Sequence, residues 1–192
     1  RELLGVGVVL ARRPPRSPLV PWTPLLHSPP LGLEVVGNCA VGFDNIDLEA
    51  ARSRGVWVTN TPDVLTEATA DLTWALILAA TRRLGEAERF LRSGAFHGWA
   101  LDMLLGSAIQ GRQLGVVGFG RIGILVAQRL SAFGVQLIAY DPYVQPARAA
   151  QLGVRMVELD ELLQTADFIT VHLPKTPETL GLIGEEALRK VK

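Results

Sequence analysis

The sequence predicts an α/β fold with a doubly wound, mostly parallel sheet that carries helices on both faces, preceded by part of a smaller domain. Short apolar runs typical of buried parallel strands alternate with helical repeats from residue 114 to the end of the chain. A longer helical repeat precedes this region, and two further strand candidates precede that repeat. About four strands are expected in the main sheet.

The strongest local signal lies between Leu114 and Asp141, where the pattern is strand, glycine turn, helix and second strand. Gly118, Gly120 and Gly123 have the G-x-G-x-x-G spacing. The first glycine permits a tight turn, the second lets a diphosphate approach the backbone, and the third lets the helix pack closely on the strand. The helix N-terminus also attracts anions. The stretch predicts a dinucleotide-binding site, and the alternative is a βαβ unit of another α/β protein.

Asp141 indicates which dinucleotide binds. It stands at the tip of the second strand, about 20 residues after Gly120, where an acid accepts hydrogen bonds from the adenosine ribose. A carboxylate at this place repels a 2′-phosphate, and no arginine or lysine occurs between Asp141 and Arg148. NAD is therefore predicted in preference to NADP.

Composition argues against several other classes of function. The chain has 19 basic and 19 acidic residues, so its bulk charge gives no reason to expect nucleic acid as a partner. No apolar run approaches the roughly 20 residues of a membrane helix, so no membrane association is expected. The single cysteine, Cys39, excludes an internal disulfide and is typical of a reducing compartment. We expect a cytoplasmic protein without a metal site.

Residues 1–32 differ from the rest of the chain. They hold most of the 12 prolines, and no acid occurs between Glu2 and Glu34. Only Leu4 to Ala11 has a pattern compatible with a strand or a short helix. An arginine-rich, acid-poor lead is also found in transit peptides, but the proline density argues against the amphipathic helix that such peptides form. We predict an irregular lead, disordered or mistranslated.

Residues 33–62 predict two strands with a helix between them. LEVVGN is the first strand candidate and CAVG a turn. Asp47 is the expected N-cap of the helix LEAARSR, and Gly55 is placed to close it. VWVTN is the second strand, followed by a turn at Pro62.

A single long helix is predicted next. Thr66 is the candidate N-cap, and Gly94 is placed to end the helix. Its apolar stripe consists of Leu72, Ala75, Leu76, Ala79, Ala80, Leu84, Ala87 and Leu91. A helix of about 27 residues would span about 40 Å, enough to connect two domains. Phe96 and Trp99, in the following loop, are either packing residues or part of a partner-facing patch.

The α/β alternation continues after Asp141. A helix is predicted at residues 146–152, a short strand at VRMV, a helix at ELDELLQTA and a buried strand at DFITVHL. A loop, KTPETLGLIG, and the beginning of a further helix, EEALRKVK, complete the pattern.

These segments resemble the D-isomer-specific 2-hydroxyacid dehydrogenase family. The matching motifs are NCAVGFDNIDLEAARSRG, VTNTP, the long helix, GFGRIG, YDP and DFITVHLPKTPETLGLIGEEAL, in the family's order and spacing. The resemblance extends from about Leu33 to Lys192. Its first half is most similar to glyoxylate/hydroxypyruvate reductases, and its second half to D-3-phosphoglycerate dehydrogenases. It implies a Rossmann-type cofactor domain and a flavodoxin-like substrate domain, joined by long helices, in a protein that is usually a dimer.

The resemblance also implies roles for individual residues. Those expected to contact NAD are Gly120, Arg121, Ile122 and Asp141, beside Gly118 and Gly123 of the glycine spacing. Those expected to border the adenosine half are His172, Leu173 and Pro174. Those expected to offer backbone N–H groups to a substrate carboxylate are Ala40, Val41 and Gly42, which fits a glycine turn after a strand. Without the resemblance, Gly42 is an ordinary turn glycine, and His172 is a packed, hydrogen-bonded histidine.

The family's catalytic residues have no counterpart in this sequence. The resemblance places the substrate-binding arginine in an ARGG-type motif just after the last residue, and the acid and histidine of the proton-transfer pair later still. About two βα units are also expected before Leu33. We therefore expect a chain truncated at both ends, with no catalytic residue and little or no activity alone.

The activity implied for the intact family is hydride transfer between NAD(H) and a small 2-hydroxy or 2-oxo acid of the glyoxylate, hydroxypyruvate or phosphohydroxypyruvate class. One alternative is a non-catalytic NAD-binding module like the corepressors that share this fold. Another is a nonfunctional truncated product.

The predicted organisation has three parts. They are an irregular lead at residues 1–32, a partial substrate domain with the long helix at 33–105, and an incomplete NAD-binding domain at 106–192. Open strand edges, the apolar stripe and the aromatic loop predict association through these surfaces, as a homodimer.

Overall fold

The computed structural model describes residues 8–11 and 33–192. Its contacts group the chain into two compact units, Arg1–Leu65 and Thr66–Lys192. Apart from one strand at 8–11, the irregular lead predicted at residues 1–32 lies outside the described residues. The domain limits predicted from the sequence, 33–105 and 106–192, stay a prediction.

The first unit contains a parallel three-stranded sheet. Its strands are β1 (Val8–Ala11), β2 (Val35–Asn38) and β3 (Trp57–Thr59), in the order β1-β2-β3. A short helix, α1 (Leu48–Ser53), begins after Asp47, whose side chain accepts a hydrogen bond from the Ala50 amide at 2.9 Å. This confirms the predicted strands, helix and cap. It also shows that the strand-like pattern within Leu4–Ala11 forms a strand, at Val8–Ala11.

The second unit contains the predicted four-stranded parallel sheet. Its strands are β4 (Gln113–Val117), β5 (Gln136–Tyr140), β6 (Val154–Met156) and β7 (Phe168–Val171). The order across the sheet is β6-β5-β4-β7. β5 and β7 therefore lie on opposite sides of β4, and the direction in which the chain builds the sheet reverses there. Ligands of such sheets bind at the carboxyl ends of the strands beside this switch point.

Helices cover both faces of this sheet. α4 (Arg121–Ser131), α5 (Pro146–Ala150), α6 (Leu159–Thr165) and α7 (Glu185–Lys190) follow the strands in chain order. Leu114 and Val116 point into the core that includes α4, whereas Val117 belongs to the core that includes Leu162 of α6. Neighbouring residues of β4 thus bury their side chains on opposite faces, which explains why the strand is apolar throughout.

The single helix of about 27 residues predicted from Thr66 is wrong. The structure has two helices, α2 (Thr66–Thr81) and α3 (Leu84–Arg92), separated by Arg83 in a left-handed conformation with φ of 54°. Thr66 is the first residue of α2 and not the residue before it. Neither helix, nor any other in the described part of the chain, is long and apolar enough to cross a membrane.

Contacts from a later segment explain the break. The Ser107 amide donates to the Thr81 carbonyl at 2.8 Å, so this carbonyl is hydrogen-bonded outside the helix. The Arg83 guanidinium donates to the Leu105 carbonyl at 3.2 Å and to the Glu86 carboxylate at 2.6 and 2.8 Å. The chain at residues 105–107 therefore holds the turn that separates α2 from α3.

The predicted apolar stripe is not the face of α2 that meets the core. Ala70, Trp74 and Ile77 pack toward the core that α4 covers, whereas Leu72 and Leu76 are each 60% exposed. The Trp74 ring contacts the Phe133 ring edge-on, with centroids 4.2 Å apart. The leucines of the stripe thus remain accessible on the surface of the second unit.

Asp167 carries a pH dependence that can be tested. Its Oδ2 accepts from the Gln113 amide at 2.9 Å, and its Oδ1 lies 2.9 Å from Lys192 Nζ and 3.5 Å from Arg112 Nη1. The hydrogen bond from Lys192, followed by that from the Gln113 amide, holds the pKa of this carboxyl below its ordinary value. A carboxyl whose pKa is depressed by folding stabilises the protein above its unfolded pKa, and this contribution is lost as pH falls through the folded pKa.

We expect Asp167→Asn to lower Tm at neutral pH. The difference from the unmutated protein should begin to shrink as pH falls past the ordinary aspartate pKa of about 3.9, and it should vanish only below the lower pKa of the folded protein. Thermal melts of both proteins across the acidic range measure this. Asp102→Asn, at an exposed acid, is the control and should leave Tm unchanged throughout. A Tm difference that is independent of pH would contradict the role given to the charge.

Candidate functional site

The glycine turn joins β4 to α4 at the carboxyl edge of the four-stranded sheet. Gly118 follows β4 with φ of 90°, which side-chain-bearing residues rarely adopt, and its amide donates to the Tyr140 carbonyl at 2.9 Å. Phe119 is fully buried in the core that α4 covers. Gly120 is the N-cap of α4. A buried phenyl ring and a hydrogen bond to β5 therefore fix the course of the turn.

Two of the three positions must be glycine, because backbone atoms lie where a side chain would begin. A Cβ on Gly118 would lie 2.7 Å from the His172 carbonyl oxygen, and one on Gly123 would lie 2.2 Å from the Gly118 carbonyl oxygen. At Gly120, by contrast, a Cβ would meet no atom within 4 Å. The backbone of Gly120 thus borders open space at the N-terminus of α4, the place where this spacing receives a diphosphate.

Arg121 and Ile122 are the first two residues of α4. Arg121 is exposed, and Ile122 is partly buried against the core. The first hydrogen bond of the helix runs from the Ile124 amide to the Gly120 carbonyl at 2.9 Å. The N–H groups of the preceding residues have no acceptor within the helix, so the first turn presents donors and a positive dipole end to an anion.

Asp141 directly follows β5, beside the glycine turn. Its Oδ2 accepts a hydrogen bond from the Phe119 amide at 2.9 Å, and its Oδ1 accepts one from the Tyr143 amide at 2.9 Å. An ionised carboxylate has about four acceptor positions, so each oxygen keeps capacity for a further donor such as a ribose hydroxyl. The side chain is neither fully buried nor fully exposed.

His172, Leu173 and Pro174 follow β7 on the other side of β4. The His172 amide donates to the Val117 carbonyl at 2.7 Å, and its Nε2 shares a hydrogen bond of 2.9 Å with Thr170 Oγ1. Burial lowers the pKa of the imidazole. Both the burial and the hydrogen bond to Thr170 fit the neutral form of the ring. Leu173 packs into the core with Val117, and Pro174 is exposed.

The Ala40-Val41-Gly42 turn lies in the first unit. Its carbonyls are held by the rest of that unit: Thr61 N donates to Ala40, Asn60 Nδ2 to Val41 and Asn38 Nδ2 to Gly42, at 3.0, 2.9 and 2.8 Å. Asn38 is itself 3% exposed, so it is a buried support for the turn. Among the described residues no group accepts from the Val41 or Gly42 amide.

The structure brings the predicted cofactor residues together at one edge of the sheet, after β4, β5 and β7 and at the start of α4. The predicted carboxylate-binding residues belong to the other unit. Phe119 and Tyr143, whose amides bind Asp141, were not predicted as site residues. An apolar residue between two turn glycines is a sign that Phe119 anchors the turn, but no sequence signal reveals a hydrogen bond between residues 22 positions apart.

The site fits a dinucleotide of the NAD type. Open space at Gly120, the N–H groups of the first turn of α4 and an acid with acceptor capacity after β5 lie around the switch point of a parallel sheet. These features define a Rossmann-type NAD-binding domain.

The chain belongs to the D-isomer specific 2-hydroxyacid dehydrogenase family, because the model of that family's NAD binding domain matches residues 74–192. The family resemblance seen in the sequence, the fold class and NAD as the cofactor are thereby confirmed.

Relatives with established names agree with this assignment. D-3-phosphoglycerate dehydrogenase of Mycobacterium tuberculosis is 53% identical over 160 residues, 83% of this chain and 30% of the relative. Glyoxylate reductase of Korarchaeum cryptofilum is 48% identical over 161 residues, 83% of this chain and 48% of the relative. The crystal structure of Aquifex aeolicus D-lactate dehydrogenase, complexed with NAD and lactic acid, has a TM-score of 0.77 at 34% identity, covering 84% of this chain and 48% of that one. This chain thus spans half or less of the length of these relatives.

Proposed function

We propose that this chain supplies the NAD(H) site of an oxidoreductase that transfers hydride between NAD(H) and a small 2-hydroxy or 2-oxo acid. The observation that carries the proposal is the combination of open space at Gly120 with Asp141 beside it, at the switch point of the sheet. Family membership and the names of the relatives support the type of reaction.

The residues of the glycine turn would hold the dinucleotide, and each would act through its backbone or charge. The first turn of α4, with Arg121, faces the charge of a diphosphate with N–H donors and a cation. Asp141 accepts from the adenosine ribose, while His172, Leu173 and Pro174 border the adenosine half. When bound, the cofactor supplies or accepts the hydride.

The Ala40-Val41-Gly42 turn would bind the substrate carboxylate. Its three carbonyls are occupied within the first unit, while the Val41 and Gly42 amides are available as donors within the described part of the chain. Two adjacent backbone N–H groups in a turn form a suitable concavity for an anion. Glyoxylate, hydroxypyruvate and phosphohydroxypyruvate all carry such a carboxylate, and the relatives' names support this class.

This chain should bind NADH without catalysing its oxidation. We expect NADH to bind, but no NADH oxidation above a protein-free blank with glyoxylate, hydroxypyruvate or phosphohydroxypyruvate. The reason is that burial lowers the pKa of His172, which leaves less of its imidazole protonated, and that His97 is exposed in a loop. Absorbance at the NADH band follows the reaction.

The carboxylate site is tested in the same samples. Oxalate, an unreactive dicarboxylate, should shift the NMR signals of the Val41 and Gly42 amides in a saturable way, whereas uncharged oxamide should not. Absence of any oxalate-dependent change would contradict the proposal that this turn binds a carboxylate.

NADH oxidation well above the protein-free blank would contradict the expected inactivity, and His172 would then be the first residue to replace.

We also propose a homodimer. Leu72, Leu76 and Leu91 are at least 60% exposed, and Trp99 is 82% exposed. Exposed apolar area of this kind favours association with a second copy of the chain.

Trp99→Ala should weaken the dimer, and size-exclusion chromatography with light scattering measures this effect. Tyr143→Ala, at an aromatic that is 88% exposed on another segment, should leave the dimer intact. A sharply melting monomer of 20.8 kDa would contradict the proposal.

A further inference from the structure

Asp141 forms hydrogen bonds to the protein backbone that are not needed for binding the ribose. Its two carboxylate oxygens accept from the amides of Phe119 and Tyr143, each at 2.9 Å. The first of these joins the turn after β4 to the end of β5, and the second closes the turn after β5. Each carboxylate oxygen is thus engaged by a backbone amide of the protein itself.

The hydrogen bond to Phe119 acts at the centre of the glycine turn. Phe119 lies between Gly118, which is in a left-handed conformation, and Gly120, which begins α4. Its side chain is held in the core and its amide is held by Asp141, so both the ring and the backbone of this residue are fixed. The backbone that borders the open space at Gly120 depends on this residue for its orientation.

We infer that Asp141 is a positioning residue for the diphosphate site in addition to its role at the ribose. Its carboxylate sets the Gly118–Gly120 turn in the conformation that presents the first turn of α4 to the diphosphate. This rests on the proposed function, because it concerns how the same NAD site is formed.

Electrostatics alone predicts the opposite effect of removing this charge. A carboxylate close to a diphosphate repels it, so an uncharged residue at position 141 would strengthen diphosphate binding if Asp141 did nothing else. Loss of the turn geometry weakens binding instead. The sign of the change, measured with a ligand that lacks the ribose hydroxyls, therefore separates the two effects.

The test combines changes in the protein with a change in the ligand. The unmutated chain, Asp141→Asn and Asp141→Ala are titrated with NADH and with an NADH analogue whose adenosine ribose is 2′,3′-dideoxy. Asparagine keeps one acceptor oxygen and alanine keeps none. A positioning role predicts that the analogue binds about tenfold more weakly to the alanine variant than to the unmutated chain, with the asparagine variant between them. Asp102→Ala, at an exposed acid, is the control and should change neither affinity.

Analogue affinity that is unchanged or increased in both variants would overturn the inference, because Asp141 would then act only on the ribose. Hydrogen exchange of the free, unmutated protein provides a second readout. The Phe119 amide should be protected, and Asp141→Asn should accelerate its exchange while β6 and β7 keep theirs. An unprotected Phe119 amide would also overturn the inference. If the unmutated chain bound neither NADH nor the analogue, the proposed function itself would fail.

Discussion

Asp141→Ala should lower the affinity for NADH by about 10- to 100-fold and should largely abolish the preference for NADH over NADPH. The change deletes two ribose hydrogen bonds and a repulsion against the 2′-phosphate, each worth on the order of 1–3 kcal/mol. It also removes the acceptors of the Phe119 and Tyr143 amides. NADPH affinity gains from the loss of repulsion and loses from the less ordered turn, so it should change little. The preference for NADH over NADPH therefore narrows chiefly because NADH binds more weakly.

Fluorescence titration of both cofactors measures this effect. Asp102→Ala is the matched control, since it removes an exposed acid and should leave both affinities unchanged. An NADH affinity that stays the same in Asp141→Ala would show that this carboxylate does not meet the ribose. A large gain for NADPH without loss for NADH would show that repulsion is its only role.

Gly123→Ala should destabilise the second unit severely. Its Cβ would lie 2.2 Å from the Gly118 carbonyl oxygen and 3.1 Å from Val116 Cγ1, and the first of these atoms belongs to the backbone of the turn. A backbone atom cannot rotate away, so α4 must move off β4. Overpacking typically costs about 1–3 kcal/mol, and a clash with backbone is expected at the upper end or beyond. Denaturant unfolding followed by circular dichroism measures the loss.

Gly120→Ala is the matched comparison, with the opposite pattern of effects. A Cβ there meets nothing within 4 Å, and φ is −81°, which alanine adopts readily. Stability should fall by no more than a few tenths of a kcal/mol to about 1 kcal/mol for the poorer N-cap. NADH binding should be lost, because the methyl group enters the space expected for the diphosphate. Equal stability losses in the two variants would contradict the close packing of Gly123, and normal NADH binding by Gly120→Ala would contradict the diphosphate position.

The parts of the fold set by local pattern were predicted correctly from the sequence. The four strands of the main sheet, the helix after the glycine turn and the Asp47 cap all depend on hydrophobic periodicity, glycine placement or a cap within a few residues. The glycine spacing and Asp141 indicated the cofactor, which the family match confirmed.

The parts set by long-range contacts were not predictable in the same way. A continuous helix was expected through Arg83 because the apolar repeat continues on both sides of it, but Ser107 and the Leu105 carbonyl hold the turn that breaks it. The stripe through Leu72 and Leu76 was expected to be the packing face, yet Trp74 faces the core. The Asp141–Phe119 hydrogen bond likewise depends on the pairing of β4 with β5.

We propose that the edge of the sheet between Gly118 and Asp141 is the NAD site. Titration of NADH into the unmutated chain, followed by energy transfer from tryptophan to the bound nicotinamide, tests it most directly. The predicted result is saturable binding of NADH that Gly120→Ala abolishes, with NADPH at least about tenfold weaker. Absence of saturable binding by the folded chain, or equal affinities for NADH and NADPH, would contradict it.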